Sequence, residues 1–132
     1  MGRMRISSGA PWEATAGYSR AVRTGDAIFV SGTVAMKDGQ VVGEDDAGAQ
    51  TRRIFEIIAN TLNEADSSMH DVVRIRMFVT GQAHCDPVLA EFRSTFSHVR
   101  PAATIVVVTA LIDPRLLVEI EADAIAGSAA PD

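Results

Sequence analysis

Apolar and polar positions change their period several times along the chain, and each change marks a new element. Tyr18 to Arg23 and Ala27 to Val34 are β-prone runs separated by Thr24-Gly25-Asp26, a composition that predicts a β-hairpin. Lys37-Asp38-Gly39-Gln40 reads as a second turn, and Val41-Val42 returns as strand before Gly43. From Ala47 to Ala65 the period lengthens. Ile54, Ile57, Ile58, Thr61, Leu62 and Ala65 form one stripe, and Arg52, Arg53, Glu56, Asn60 and Glu64 lie off it. This is the main predicted helix, preceded by Asp45 and Asp46, which favour the positive end of its dipole. Val72 to Val79 alternates as a strand, with Val73, Ile75, Met77 and Val79 on one face and Arg74, Arg76 and Phe78 on the other. Asp86-Pro87 reads as N-cap and first helical position of a second helix, whose stripe is Val88, Leu89, Phe92, Thr95 and Phe96 and which ends before Pro101. Ala102 to Ala110 is a β-branched run, Asp113-Pro114 a turn, Leu117 to Ala126 a last strand, and Gly127 to Asp132 a small-residue tail expected to fray.

Strands, helix, strand, helix and two strands describe an α+β fold in which both helices cover one face of a single sheet. The other face carries a consequence. Ala103, Ile105 and Val107 alternate with Thr104, Val106 and Val108, so whichever set meets the helices, the other presents apolar groups outward. A strand apolar on both faces is covered on both. With residues 1–132 read as one domain and no third layer left in them, the expected cover is another copy of the chain, a homo-oligomer.

Composition narrows the class. An apolar fraction of 47% with 22% charged residues is that of a packed domain. A net charge of −5 and a pI of about 5.1 lack the basic footprint of a nucleic-acid binder. Cys85 is the single cysteine, which excludes an internal disulfide and a cysteine-built zinc set, and a reducing cytoplasm fits. Met1 to Ala10 never assembles the apolar stretch of a signal peptide, and Ala102 to Ile112 is too short for a membrane span, so a cytoplasmic protein with no membrane partner is expected.

Candidate chemistry is sparse. His70, His84 and His98 are evenly and widely spaced, no phosphate loop or dinucleotide fingerprint is present, and neither metal nor cofactor is expected. Cys85 stands beside His84, but adjacent residues seldom aim at one point. Glu119, Glu121 and Asp123 are the most conspicuous group, since alternation puts all three carboxylates on one face and Val118, Ile120, Ala122 and Ala124 on the other. Paired carboxylates can act as general acid and base. Cross-strand ion pairs with Arg74 and Arg76 are the plainer reading for Glu121, which leaves Glu119 open.

The segments AGYSRAV (Ala16 to Val22), VSGT (Val30 to Thr33), AQTRRIFEIIANTL (Ala49 to Leu62), DVVRIRMFVT (Asp71 to Thr80), RPAAT (Arg100 to Thr104) and LVEIEADAI (Leu117 to Ile125) resemble, in order and spacing, the RidA (YjgF-like) family of reactive enamine/imine deaminases. The resemblance implies a chorismate-mutase-like α+β fold and a homotrimer with clefts between subunits. It further implies a small-molecule ligand, bound or hydrolysed there, with a non-catalytic binding or chaperone-like module as the alternative. Carried over by residue, the water-positioning glutamate of the deaminases falls on Glu119, the tyrosine on Tyr18 and the serine on Ser31. Their carboxylate-gripping arginine does not carry over. Ala103 stands at its position, followed by Thr104, and both are expected only as cleft wall. Ser31 before Gly32 also has a simpler reading, the satisfaction of turn backbone. Without that arginine, Glu119 is expected to lack a neighbouring cation unless Arg74 or Arg76 turns toward it, so the cleft should refuse anions and accept neutral or cationic ligands. If a carboxylate is nonetheless held, Arg20, Arg23 and Arg100 are the first candidates.

Overall fold

The change of period at Ala47 is where the longest helix begins in the computed structural model, which describes residues 2–129. In chain order the elements are β1 (Arg3–Ile6), α1 (Pro11–Ala16), β2 (Ala21–Thr24), β3 (Ala27–Thr33), β4 (Met36–Lys37), β5 (Gln40–Val41), α2 (Ala47–Glu64), β6 (Val72–Val79), α3 (Cys85–Phe96), β7 (Ala102–Val107) and β8 (Val118–Ile125). Six strands form one mixed sheet in the order β1-β2-β3-β8-β6-β7, and β4 and β5 form a separate hairpin at the Asp38-Gly39 turn. Only β6 and β7 run parallel, joined by a crossover through α3, as parallel neighbours require.

The expected helices and strands are all present, with α2 started by Asp46, whose carboxylate accepts from Ala49 N at 2.9 Å. The second helix begins at Cys85 rather than at Asp86-Pro87, because a 3-10 turn over Gln82–His84 runs directly into it and proline is tolerated in its first turn. β1 and α1 had no sequence signal. β1 buries only Ile6 and is held by backbone pairing to β2, and α1 is barely more than a turn that ends on Gly17 in the left-handed conformation.

Both long helices lie on one face. There Ile54, Ile58 and Leu62 of α2 and Val88 and Phe96 of α3 bury against Ile28, Ile75, Met77, Val79, Val118 and Ile120 of the sheet. Phe55 and Phe96 close the α2–α3 seam edge to face, with ring centroids 5.2 Å apart. One buried polar side chain ties the loops to α2. Gln50 donates to the carbonyls of Gly43 (3.1 Å) and Arg115 (2.9 Å) and accepts from Leu117 N (2.8 Å).

Two details depart from strict alternation. Val73, expected on the buried face of β6, is 40% exposed and Val72 is buried instead, because the β6–β8 register shifts between Val72 and Arg74. The tail does not fray at Gly127–Ala129: Asp71 accepts from Gly127 N (3.1 Å), Ala129 N (3.2 Å) and Ser67 Oγ (2.7 Å), and residues 130–132 lie outside the described residues. Burial opposes ionisation of Asp71, but these hydrogen bonds outweigh it and hold its carboxyl below the usual range.

On β7, register settles which set faces where. Ala103, Ile105 and Val107 pair with Ile75, Met77 and Val79 and face the helices, and Thr104 and Val106 pair with Arg76 and Phe78 on the open face. Phe29 (49% exposed) and Val106 (40%) leave that open face partly apolar.

Candidate functional site

The site is built where β3 breaks its register with β8. The pairing of Val30 with Ala122 and then Thr33 with Ile120 leaves Ser31 and Gly32 as a bulge, and bulges re-aim side chains. Ser31 N donates to Arg20 O at 3.0 Å, Ser31 Oγ to Ser19 O at 2.7 Å, and Thr33 Oγ1 to Ser31 O at 2.8 Å. The Ser31 hydroxyl is therefore engaged in holding the backbone, the simpler of its two readings. Over the bulge lies Glu119 of β8. A methyl on Gly32 would stand 2.4 Å from Glu119 Oε2, so the glycine is what lets the carboxylate seat there.

A concavity of about 460 Å³ opens at this point, lined by Trp12, Tyr18, Arg20, Ser31, Gly32, Val34, Ile112, Glu119 and Glu121. Tyr18, Ser31 and Glu119, carried over separately by sequence, thus meet in one place. Ala103 and Thr104 do not line it. Ala103 sits on the opposite, helix-facing side of the sheet opposite Ile75, and Thr104 faces the open side beside Arg76. The sequence reading missed Trp12 and Ile112, both exposed, the first on α1, too short to show a period, and the second on the loop between β7 and β8. A larger concavity of about 760 Å³ adjoins the first across Trp12, Tyr18, Arg20 and Val34 and runs toward α2.

The electrostatics correct the expected absence of a cation. Arg20 lines the Glu119 concavity although only 8% of its surface is exposed. Its Nη2 donates to Gly32 O at 2.5 Å, and its guanidinium carbon lies 5.8 Å from the centre of the Tyr18 ring. Burial lowers the Arg20 pKa, opposed by Tyr18, Glu13 and Glu119, and an arginine so placed remains cationic near neutrality. Burial also raises the Glu119 pKa, Arg20 pulls it back, and Glu121 adds to the rise. Arg76 does not turn toward Glu119. It bridges Glu121 (3.1 Å) and Asp123 (3.3 Å), the cross-strand pairing expected for Glu121. The result is two carboxylates, Glu121 and Asp123, tied up in ion pairs and one, Glu119, half-buried with a raised pKa. Among the described residues no group of three or more His, Cys, Asp or Glu is placed to hold a metal ion, and no helix is long and apolar enough to cross a membrane.

A mixed sheet backed by two helices, with a carboxylate seated over a strand bulge, defines a small α+β protein with a ligand-sized cleft at its open face. The family model described as Endoribonuclease L-PSP matches residues 8–126. A crystal structure of a Mycobacterium tuberculosis member of the YjgF/YER057c/UK114 family is 42% identical and superposes with a TM-score of 0.85, covering 94% of this chain and 99% of its own. A Yersinia pestis protein of the conserved Rid family is 26% identical with a TM-score of 0.84, over 94% of this chain and 99% of its own. An uncharacterised protein of Streptomyces coelicolor is 36% identical over 124 residues, 94% of this chain and 92% of its own. The chain belongs to the YjgF/Rid family, and its fold is the chorismate-mutase-like one that the resemblance implied.

Proposed function

We propose that this protein binds a small metabolite of the enamine or imine type in the Glu119 cleft and hydrolyses it, working as a cytoplasmic homotrimer. The observation that carries the reading is Glu119: a half-buried carboxylate with a raised pKa, seated over Gly32 and facing a cavity of small-molecule size. A carboxylate poised above its ordinary pKa can take a proton from water attacking an imine carbon and return it to the departing nitrogen. Tyr18 and Trp12 supply apolar walls, and the Arg20 charge opposes the rise that burial imposes on the Glu119 pKa. No cofactor enters this scheme. Trimerisation accounts for the open face, where Phe29 and Val106 would be covered by neighbouring subunits and the cleft would be walled from outside the chain.

Ser31, engaged with Ser19 O, and Ala103, standing where the deaminases carry their arginine, favour the second reading, a family member that binds its ligand without turning it over. The family description names an endoribonuclease, but a net charge of −5 and a cleft holding Glu119 and Glu121 disfavour a polyanion. The test is release of ammonia from an imine generated in place, with wild type and Glu119→Gln in parallel. Hydrolysis lost in Glu119→Gln supports the catalytic reading. Wild-type rates equal to buffer, with ligand still bound, establish the binding one.

A further inference from the structure

The larger concavity, of about 760 Å³, arises from a mismatch between sheet and helices. Six strands at about 4.8 Å span roughly 24 Å from first to last, and two helices packed about 9 Å apart cover about four of them. α2 packs on β3 and β8, so β1 and β2 stand at an edge that α2 does not reach. Ile6 pairs with Ala21 and Ala21 with Val30, which puts Ile6 on the helix side of that edge. The segment Ser7 to Trp12 returns above it, and the space left between this segment, the β4–β5 hairpin and the flank of α2 is the concavity. Glu119 pairs with Phe78 and lies on the open face, so the two concavities occupy different sides of the sheet and meet at the wall of Trp12, Tyr18, Arg20 and Val34.

We propose that this helix-side concavity is a second binding site, separate from the Glu119 cleft, and that it takes an aromatic monoanion. The proposal does not depend on turnover at Glu119. Its volume falls in the range of small-molecule sites, roughly 300–1,000 Å³. Ile6, Val34 and Ile57 give an apolar floor and side, and Trp12 and Tyr18, 41% and 38% exposed, add ring surface that a flat ligand would bury. The charge lies at the hairpin end. Lys37 enters none of the ion pairs of the described residues. Arg53 is anchored through Nε to Met36 O at 2.9 Å, and its Nη1 reaches only the exposed Glu56, at 3.7 Å. Asp38, in the hairpin turn, offsets one of these two cations, so the end balances a monoanion and not a dianion. Glu64, the other acid of the lining, follows Arg53 by eleven residues of α2, about 16 Å, beyond the screening length of roughly 8 Å at physiological salt. An anionic group held by Lys37 and Arg53 therefore lays the rest of a flat ligand along Ile57 toward Trp12.

The experiment titrates ¹⁵N-labelled protein with phenylacetate, benzyl alcohol, benzylamine and acetate. It follows backbone amide signals on the two sides of the sheet, Lys37, Ile57 and Asn60 at the helix-side concavity and Ile112 and Glu119 at the cleft. Phenylacetate is expected to bind at least tenfold more tightly than the other three and to move the first set, with Ile112 and Glu119 unmoved. Lys37→Glu, at an exposed hairpin position, is expected to weaken phenylacetate at least tenfold and to leave benzyl alcohol unchanged. Ile57→Trp, which fills the concavity, should abolish binding of both. Glu119→Gln should bind phenylacetate as wild type does. If a helix-side variant fails to fold, the wild-type shifts and the Glu119→Gln titration decide. Phenylacetate that moves Ile112 and Glu119 instead, or that binds more tightly to Glu119→Gln, occupies the cleft and overturns the proposal. Acetate or benzyl alcohol binding as tightly as phenylacetate, a preference for benzylamine, or no shift with any probe overturns it too. Each of these outcomes leaves imine hydrolysis at Glu119 to be decided by ammonia release, so the two readings fail separately.

Discussion

Gly32→Ala isolates the seat of Glu119 from the rest of the fold. The new methyl would begin 2.4 Å from Glu119 Oε2, 3.0 Å from Cδ and 3.4 Å from Cγ. Contact distance for such atoms is roughly 3.5 Å, so the carboxylate must retreat by about 1 Å. Gly32 does not occupy the left-handed region, and alanine imposes no backbone strain there. The clashing group is the far end of a flexible side chain, and the substitution also removes unfolded-chain freedom worth about 0.4–1 kcal/mol. Global stability should therefore change by less than about 1 kcal/mol in either direction. The local effect should be much larger. A reacting group misplaced by about 1 Å can cost on the order of 10²-fold in rate. Glu119, driven from a half-buried seat toward solvent, should also titrate closer to an ordinary glutamate, because burial is the first cause of its raised pKa. Thermal unfolding measures the first effect, ¹³C-detected titration of the Glu119 carboxyl the second, and ligand turnover or binding the third. An unfolded Gly32→Ala, or a folded one in which Glu119 titrates and the ligand binds as in wild type, would refute the placement of Glu119 over the bulge.

Glu119→Gln should stabilise the protein at neutral pH and not in acid. The folded-state pKa lies above the unfolded one, so the folded protein holds the proton more tightly; that advantage is full below the unfolded pKa and is lost as pH rises through the folded value. A gain in Tm equal at pH 4 and pH 7 would contradict this sign. Gln50→Leu should cost about 2–4 kcal/mol in denaturant unfolding, since it leaves Gly43 O, Arg115 O and Leu117 N without their partner; a loss under about 1 kcal/mol would mean that water replaces the amide. Light scattering should give about three times 14.0 kDa, and Val106→Asp, on the exposed open face, should give a folded species of one third that mass. Ile105→Asp instead strikes the helix side and should unfold the chain, so a Val106→Asp variant that remains trimeric would show that this face is not the contact.

The pattern of hydrophobic positions was enough for the elements that bury a full face. α2, β6 and β8 are legible because a stripe or an alternation runs their whole length, and the resemblance of their segments to one family carried the fold. β1 and α1 escaped because β1 buries one side chain and α1 is too short to show a period. Val73 was misplaced for a related reason: alternation assumes unbroken register, and the shift between Val72 and Arg74 is a property of the β6–β8 pair, not of β6 alone.

The candidate site divides the same way. Alternation along β8 sufficed to put Glu119, Glu121 and Asp123 on one face, and residue-by-residue likeness pointed to Tyr18 and Ser31. Which carboxylate is tied up and which is left depended on where Arg76 stands across the sheet, and the cation of the cleft depended on which arginine is buried. Arg20 lies in the β-prone run Tyr18 to Arg23, just before β2, and is far from Glu119 in sequence. It reaches the cleft because β3 bulges at Ser31-Gly32 and offers a carbonyl for its guanidinium. Local spacing encodes which side of an element a residue occupies. The meeting of charges from separate strands, and with it the burial that shifts Glu119 and Arg20, exists only once long-range register brings those strands together.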